Sequence, residues 1–130
     1  MTDKVVYEVI EANIHLLTLT QGGRQAIDDV FTLVEKVIFA LPEDEKIRML
    51  FDTSKSEDLP MRYTIQKAEQ WKKIQTELRT TRSAVVVAQQ TLIIAVMNLL
   101  IATFNSPDSK TKLFTADQWH EAVAWLKADD

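Results

Sequence analysis

Any chemistry in this 130-residue chain would have to come from histidine, hydroxyl and carboxylate side chains, because it contains no cysteine. That absence removes thiolate nucleophiles, disulfides and sulfur-ligated metals together, and it fits a reducing cytosol. His15 and His120 are the only imidazoles. A nucleophilic triad places an imidazole between a hydroxyl and an orienting group, and neither histidine stands in a motif that supplies both. Each reads as a structural residue. Glu43-Asp44-Glu45 and Glu57-Asp58 gather carboxylates, but no further ligand falls at a metal-binding spacing, so they read as solvated turns. Gly22-Gly23-Arg24 could cradle an anion with backbone N–H groups at a helix start. It has neither the GxGxxG spacing nor a Walker lysine, so the glycines read as turn punctuation. The expectation is a protein with no cofactor, no metal and no catalytic residues.

One polar stretch stands apart. Asp52, Ser54, Ser56 and Asp58 lie in a loop, Asp52 to Pro60, that leaves the end of an apolar strand and precedes a helix. Open α/β sheets place their binding crevices at the carboxyl ends of their strands. A phosphate added to Ser54 or Ser56 beside a helix N-terminus would change the contacts of that edge. The plainer reading is that Thr53, Ser54 and Ser56 satisfy turn and cap hydrogen bonds.

The elements that position this loop follow from periodicity. Val5, Tyr7 and Val9 alternate, the chain breaks at Ala12-Asn13, and Ile14 to Thr20 resumes a strand, which together describe a hairpin. Ile27, Val30, Phe31, Val34, Val37, Ile38 and Leu41 recur at helical spacing, ended by Pro42, with Asp28 and Asp29 expected at the positive end of the helix dipole. Ile47 to Asp52 is a buried strand, and a second helix is predicted from Met61 or Arg62 to Leu78. The cations of this region, Arg62, Lys67, Lys72, Lys73, Arg79 and Arg82, scatter at helical spacing instead of forming a nucleic-acid footprint. Ser83 to Ala88 is a β-branched strand, Gln89 to Phe104 a third helix, and Lys112 to Phe114 a short last strand. Thr115 and Gln118 form a capping box for a final helix that buries Trp119, Ala122, Val123 and Leu126. The order β-β-α-β-α-β-α-β-α predicts one mixed α/β sheet of about five strands with layered helices, as a single domain over 1–130.

No charge occurs between Arg82 and Asp108, a stretch long enough to cross a bilayer. Gln89, Gln90 and Asn98 within it, and its change from strand-like to helix-like character, argue against a span. The layout of the first ten residues, with Asp3, Lys4 and Glu8, is not that of a secretion signal. A net charge of −4 disfavours nucleic acid and anionic membranes as partners. A cytosolic protein is the expectation.

The third helix has more apolar surface than one sheet needs. Thr91, Ala95, Asn98, Ala102 and Asn105 make one narrow stripe, while Leu92, Ile94, Leu99, Ile101 and their neighbours fill the rest. Either flanking helices cover that surplus, or it meets a second subunit, a protein partner or a lipid-like ligand. A homodimer is the commonest such outcome, and Leu92, Ile94, Leu99 and Ile101 are its candidate interface.

With that element order, the strand Met49-Leu50-Phe51-Asp52, the passage Ala84-Val85-Val86-Val87-Ala88 and the ending Leu113-Phe114-Thr115 with Ala122-Val123-Ala124-Trp125-Leu126, the chain resembles the STAS family. That family includes bacterial anti-sigma-factor antagonists and sulfate-transporter tails; the likeness is greatest to small stand-alone bacterial variants grouped with the CRAL-TRIO fold. The resemblance implies a non-enzymatic domain working through protein or small-ligand contacts. In the antagonist branch a serine of an Asp-Ser-Ser-Gly motif is phosphorylated; here the corresponding stretch reads Ser56-Glu57-Asp58-Leu59-Pro60, so the motif is absent. The leading expectation is a homodimeric interaction or regulatory module, the alternative a carrier or sensor of an apolar ligand.

Overall fold

The computed structural model describes residues 5–20, 23–41, 46–54, 62–64, 66–67, 70, 81–87 and 109–128. Five strands form one sheet: β1 (Val5–Ile10), β2 (Ile14–Leu19), β3 (Ile47–Asp52), β4 (Thr81–Val87) and β5 (Ser109–Thr115). They lie side by side in chain order. β1 and β2 pair antiparallel as the predicted hairpin, and β2 through β5 run parallel. The mixed α/β sheet expected from the element order is therefore present.

The hairpin connection is a single 3-10 turn, Glu11–Asn13, closed by Asn13 at φ +57°. Asparagine enters this left-handed region at low cost, whereas a β-branched residue does not. Replacing Asn13 with valine is expected to lower the unfolding free energy by about 1–2 kcal/mol. Asn13→Gly should hold the wild-type urea midpoint, and equal loss in both variants would contradict this account of the turn.

Strand alternation sorts the core into two clusters. On one face, Val5, Leu17, Leu19, Ile47 and Met49 pack against Ile27, Val30 and Val34 of α1 (Arg24–Ala40). The apolar spacing of α1 thus buries the stripe it predicts. On the other face, Ile14, Leu16, Leu50, Ala84, Val86 and Phe114 pack against Ala122, Val123 and Leu126 of the C-terminal helix α2 (Trp119–Lys127). Right-handed crossovers between parallel strands put connecting helices on a common face. Tyr63, in the helical residues 62–64, packs with the α1 cluster accordingly. α2 follows the last strand, makes no crossover, and covers the opposite face.

Several local expectations change. β5 spans seven residues, because pairing with β4 from Ser109 to Thr115 draws the polar Ser-Lys-Thr-Lys run into the sheet. The first turn of α1 carries no acidic residue; Asp28 and Asp29 begin its second turn and serve other contacts. Trp119 is half-buried and borders its cluster instead of filling it. The Thr115–Gln118 capping box is present, and it closes a short 3-10 turn that leads into α2. Ala84–Val87, at the start of the long uncharged stretch, is strand. Among the described residues, no helix is long and apolar enough to cross a membrane.

Candidate functional site

The turn leaving β3 is held in place by its own first three residues. Asp52 ends the strand almost fully buried, facing the α2 side of the sheet. Its Oδ1 accepts from the Ser54 backbone N–H at 3.0 Å and from the Ser54 hydroxyl at 2.6 Å. This is the aspartate turn in which a short carboxylate replaces a backbone acceptor. Thr53 is tied sideways to the neighbouring strand: its N–H and its Oγ1 both donate to the Val86 carbonyl, at 2.9 and 2.8 Å. Four hydrogen bonds over three residues thus fix the direction in which the chain leaves the sheet. Ser54 sits half-buried at that point.

The start of α1 occupies the same edge, since β2 and β3 are adjacent and parallel with Thr18 in register with Asp52. Gly23 takes φ +100° there, a conformation that requires glycine. The Arg24 guanidinium lies 5.2 Å from the centre of the Tyr63 ring. The Tyr63 hydroxyl donates to Asp28 Oδ1 at 2.5 Å, and Lys67 pairs with the same oxygen at 3.4 Å. The Tyr63 hydrogen bond, helped by Lys67, holds the Asp28 carboxyl below its ordinary 3.8. The same hydrogen bond pushes the Tyr63 phenol above its ordinary 10.0.

The signs give a pH window. Asp28 has a lowered folded-state pKa, so its contribution is complete above 3.8 and is lost as pH falls through the lower folded value. Tyr63 has a raised one, so its contribution is complete below 10.0 and is lost as pH rises through the higher folded value. Tyr63→Phe should move the Asp28 carboxyl back up toward 3.8 in an NMR titration. An unmoved carboxyl would show that Lys67 alone sets it.

The other candidate residues are dispersed. His15 is nearly buried in β2 on the α1 face; its Nδ1 shares a hydrogen bond of 2.7 Å with the Tyr7 hydroxyl, and the two rings stack. His120 is exposed on α2, across the sheet, so the two imidazoles do not share a site. Among the described residues, no three His, Asp or Glu side chains gather as a metal cluster. Ser56, Asp58, Glu43-Asp44-Glu45 and the third-helix residues Leu92, Ile94, Leu99 and Ile101 lie outside the described residues.

Two groupings escaped the sequence reading. The Asp28–Tyr63–Lys67 cluster joins α1 to residues 35 or more positions away. On the α2 face, Arg48 and Arg82 stand in register on β3 and β4. Arg82, 2% exposed, donates to the carbonyls of Trp125 at 2.6 Å and Ala128 at 3.1 Å and stacks on the Trp125 ring at 4.8 Å. Arg48 Nε donates to the Leu126 carbonyl at 2.8 Å. Two guanidinium groups thereby satisfy the last carbonyls of α2, at the negative end of its dipole. The one available signal was Arg82 standing at the head of an apolar strand.

Comparison with known proteins agrees with this architecture. A family model described as SpoIIAA-like matches residues 16–127, from β2 through α2. Among solved structures, an uncharacterized protein with a SpoIIAA-like fold from Shewanella loihica PV-4 superposes with a TM-score of 0.59 at 16% identity. The match covers 94% of this chain and 91% of that one, a likeness of fold. No curated protein matches the chain. With the five-stranded mixed sheet in place and the family model spanning all but the first strand, the chain belongs to the SpoIIAA-like family.

Proposed function

We propose that the protein is a non-enzymatic, cytosolic regulatory module that acts through protein contacts as a homodimer, with the turn after β3 as its partner-facing surface. The observation that carries this reading is the fixed turn itself: Asp52 and Val86 hold Thr53 and Ser54 by four hydrogen bonds. A preorganised surface loses little entropy when a partner docks. The turn also has a means of regulation. A phosphate on Ser54 would remove the hydroxyl donor that now binds Asp52 and set two like charges side by side, which opens the turn. Membership of the SpoIIAA-like family supports a regulatory role.

The test is quantitative capture from a lysate of the source cells, using wild type, Ser54→Asp and the distant surface variant His120→Ala. A partner retained by wild type and by His120→Ala, and reduced at least tenfold on Ser54→Asp, is the expected result. Equal recovery on all three would remove the turn from the contact surface. A bound apolar small molecule in native mass spectra, with no protein partner, would favour a carrier instead.

A further inference from the structure

We infer that two copies of this chain meet edge to edge through β1, antiparallel about Tyr7, so that their sheets join into one. This inference rests on the homodimeric reading and names its surface.

β1 is the end strand of the sheet, and among the described residues it pairs with β2 alone. Its outer side therefore presents a row of backbone donors and acceptors. Natural end strands are guarded by lysine, proline, bulges or shortness. β1 reads Val-Val-Tyr-Glu-Val-Ile, six regular residues whose single guard is the charge of Glu8, with no lysine, proline or bulge. Among the described residues, three of the four exposed large hydrophobic residues also lie on it: Val6 at 44%, Tyr7 at 39% and Val9 at 52%, the fourth being Phe39 on α1. Exposed apolar side chains on both faces of a free strand edge describe a pairing surface.

The charge decides the partner and the register. In an antiparallel pair about a two-fold axis through the sheet, directly opposed residues point to the same face, so a single residue must sit opposite itself. Two such registers pair five residues of β1, one centred on Tyr7 and one on Glu8. Centring on Glu8 opposes two carboxylates, and so does parallel pairing in register, which is destabilising. Centring on Tyr7 sets the two tyrosines together, brings each Val9 against the other copy's Val5, and places each Glu8 opposite Val6. Every exposed apolar residue of the strand then gains a neighbour, and no like charges are directly opposed. β1 is thus complementary to itself, which identifies a second copy as the occupant.

The experiment is light scattering of the full chain on a sizing column over a range of concentrations, for wild type, Val6→Lys, Val9→Lys and the third-helix variant Ile94→Glu. Circular dichroism melts check that each variant is folded. Wild type at twice the chain mass, a dissociation constant at least tenfold weaker in both β1 variants, and no change in Ile94→Glu are expected. Because the chain has no cysteine, oxidation of single-cysteine variants reads the register. Tyr7→Cys should crosslink to a covalent dimer and Val9→Cys should not, even if the lysine variants fail to fold. A wild-type dimer that survives both lysine variants and gives no Tyr7→Cys crosslink overturns the β1 interface and leaves the homodimer standing. A wild-type chain that stays monomeric at every concentration overturns both.

Discussion

Arg82→Ala is expected to remove about 3 kcal/mol of stability, read as a lowered urea midpoint, and to release α2 before the rest of the chain. The size follows from what the guanidinium does. It is buried, it donates to two carbonyls at the end of α2, and it lies over the Trp125 ring. Each carbonyl left without a donor away from water costs about 1–3 kcal/mol, and truncating a long buried side chain adds a void. The Trp125 carbonyl keeps the Ala128 N–H as a donor at 3.3 Å, Arg48 still holds Leu126, and water can reach Ala128, so the loss stays below the sum. Against a total stability of about 5–15 kcal/mol this is a large fraction. Arg82→Lys should recover less than half, because an ammonium is a point charge and cannot offer the planar fork or the same stacking. Amide exchange should separate this effect from general destabilisation. In Arg82→Ala the amides of 123–127 are expected to exchange faster relative to those of α1. Uniform acceleration would contradict the local role.

Leu50→Ala is expected to cost about 3–4 kcal/mol, because a leucine truncated in a packed core loses its transfer energy and leaves a cavity. Leu50 is fully buried in β3, among Ile14, Leu16, Ala84, Val86 and the α2 residues Ala122, Val123 and Leu126. The strand is paired on both sides, which limits how far the backbone can collapse into the gap. Val9→Ala, at the exposed end strand, should change the monomer's unfolding free energy by under about 0.5 kcal/mol. Urea unfolding of the two variants checks the contrast, and similar losses at both positions would mean that the α2 face is not the main core.

The parts of the fold legible in the sequence are those set by local pattern. Ile47–Asp52 is apolar but for Arg48 and ends in an aspartate, and it is β3 residue for residue. The helical spacing after Gly22-Gly23 is α1, and Thr115 with Gln118 caps the entry to α2. β5 was less legible. Ser109 to Lys112 has the composition of a loop, and its strand geometry comes from pairing with β4, a contact that spans 28 positions. The arginine pair was hidden for a related reason. Arg48 and Arg82 become neighbours through strand register, and their acceptors are backbone carbonyls, which carry no signature in the sequence. The loop Asp52 to Pro60 was visible as a polar interval, and the structure adds how it begins. Asp52 is the buried acceptor and Ser54 its donor, an arrangement that depends on the strand ending where it does. Tyr7 illustrates the opposite case. Its alternation with Val5 and Val9 was legible, but the exposure of Tyr7 and Val9 follows from β1 being an end strand, which alternation does not report.

The central claim is that the turn after β3 is a partner surface switched by charge at Ser54, and capture from source-cell lysate with Ser54→Asp as the altered bait tests it most directly. The account expects a partner bound by wild type and by His120→Ala to fall at least tenfold on Ser54→Asp, with the Ser54→Asp protein still folded by circular dichroism. The same partner bound equally by all three baits would contradict it.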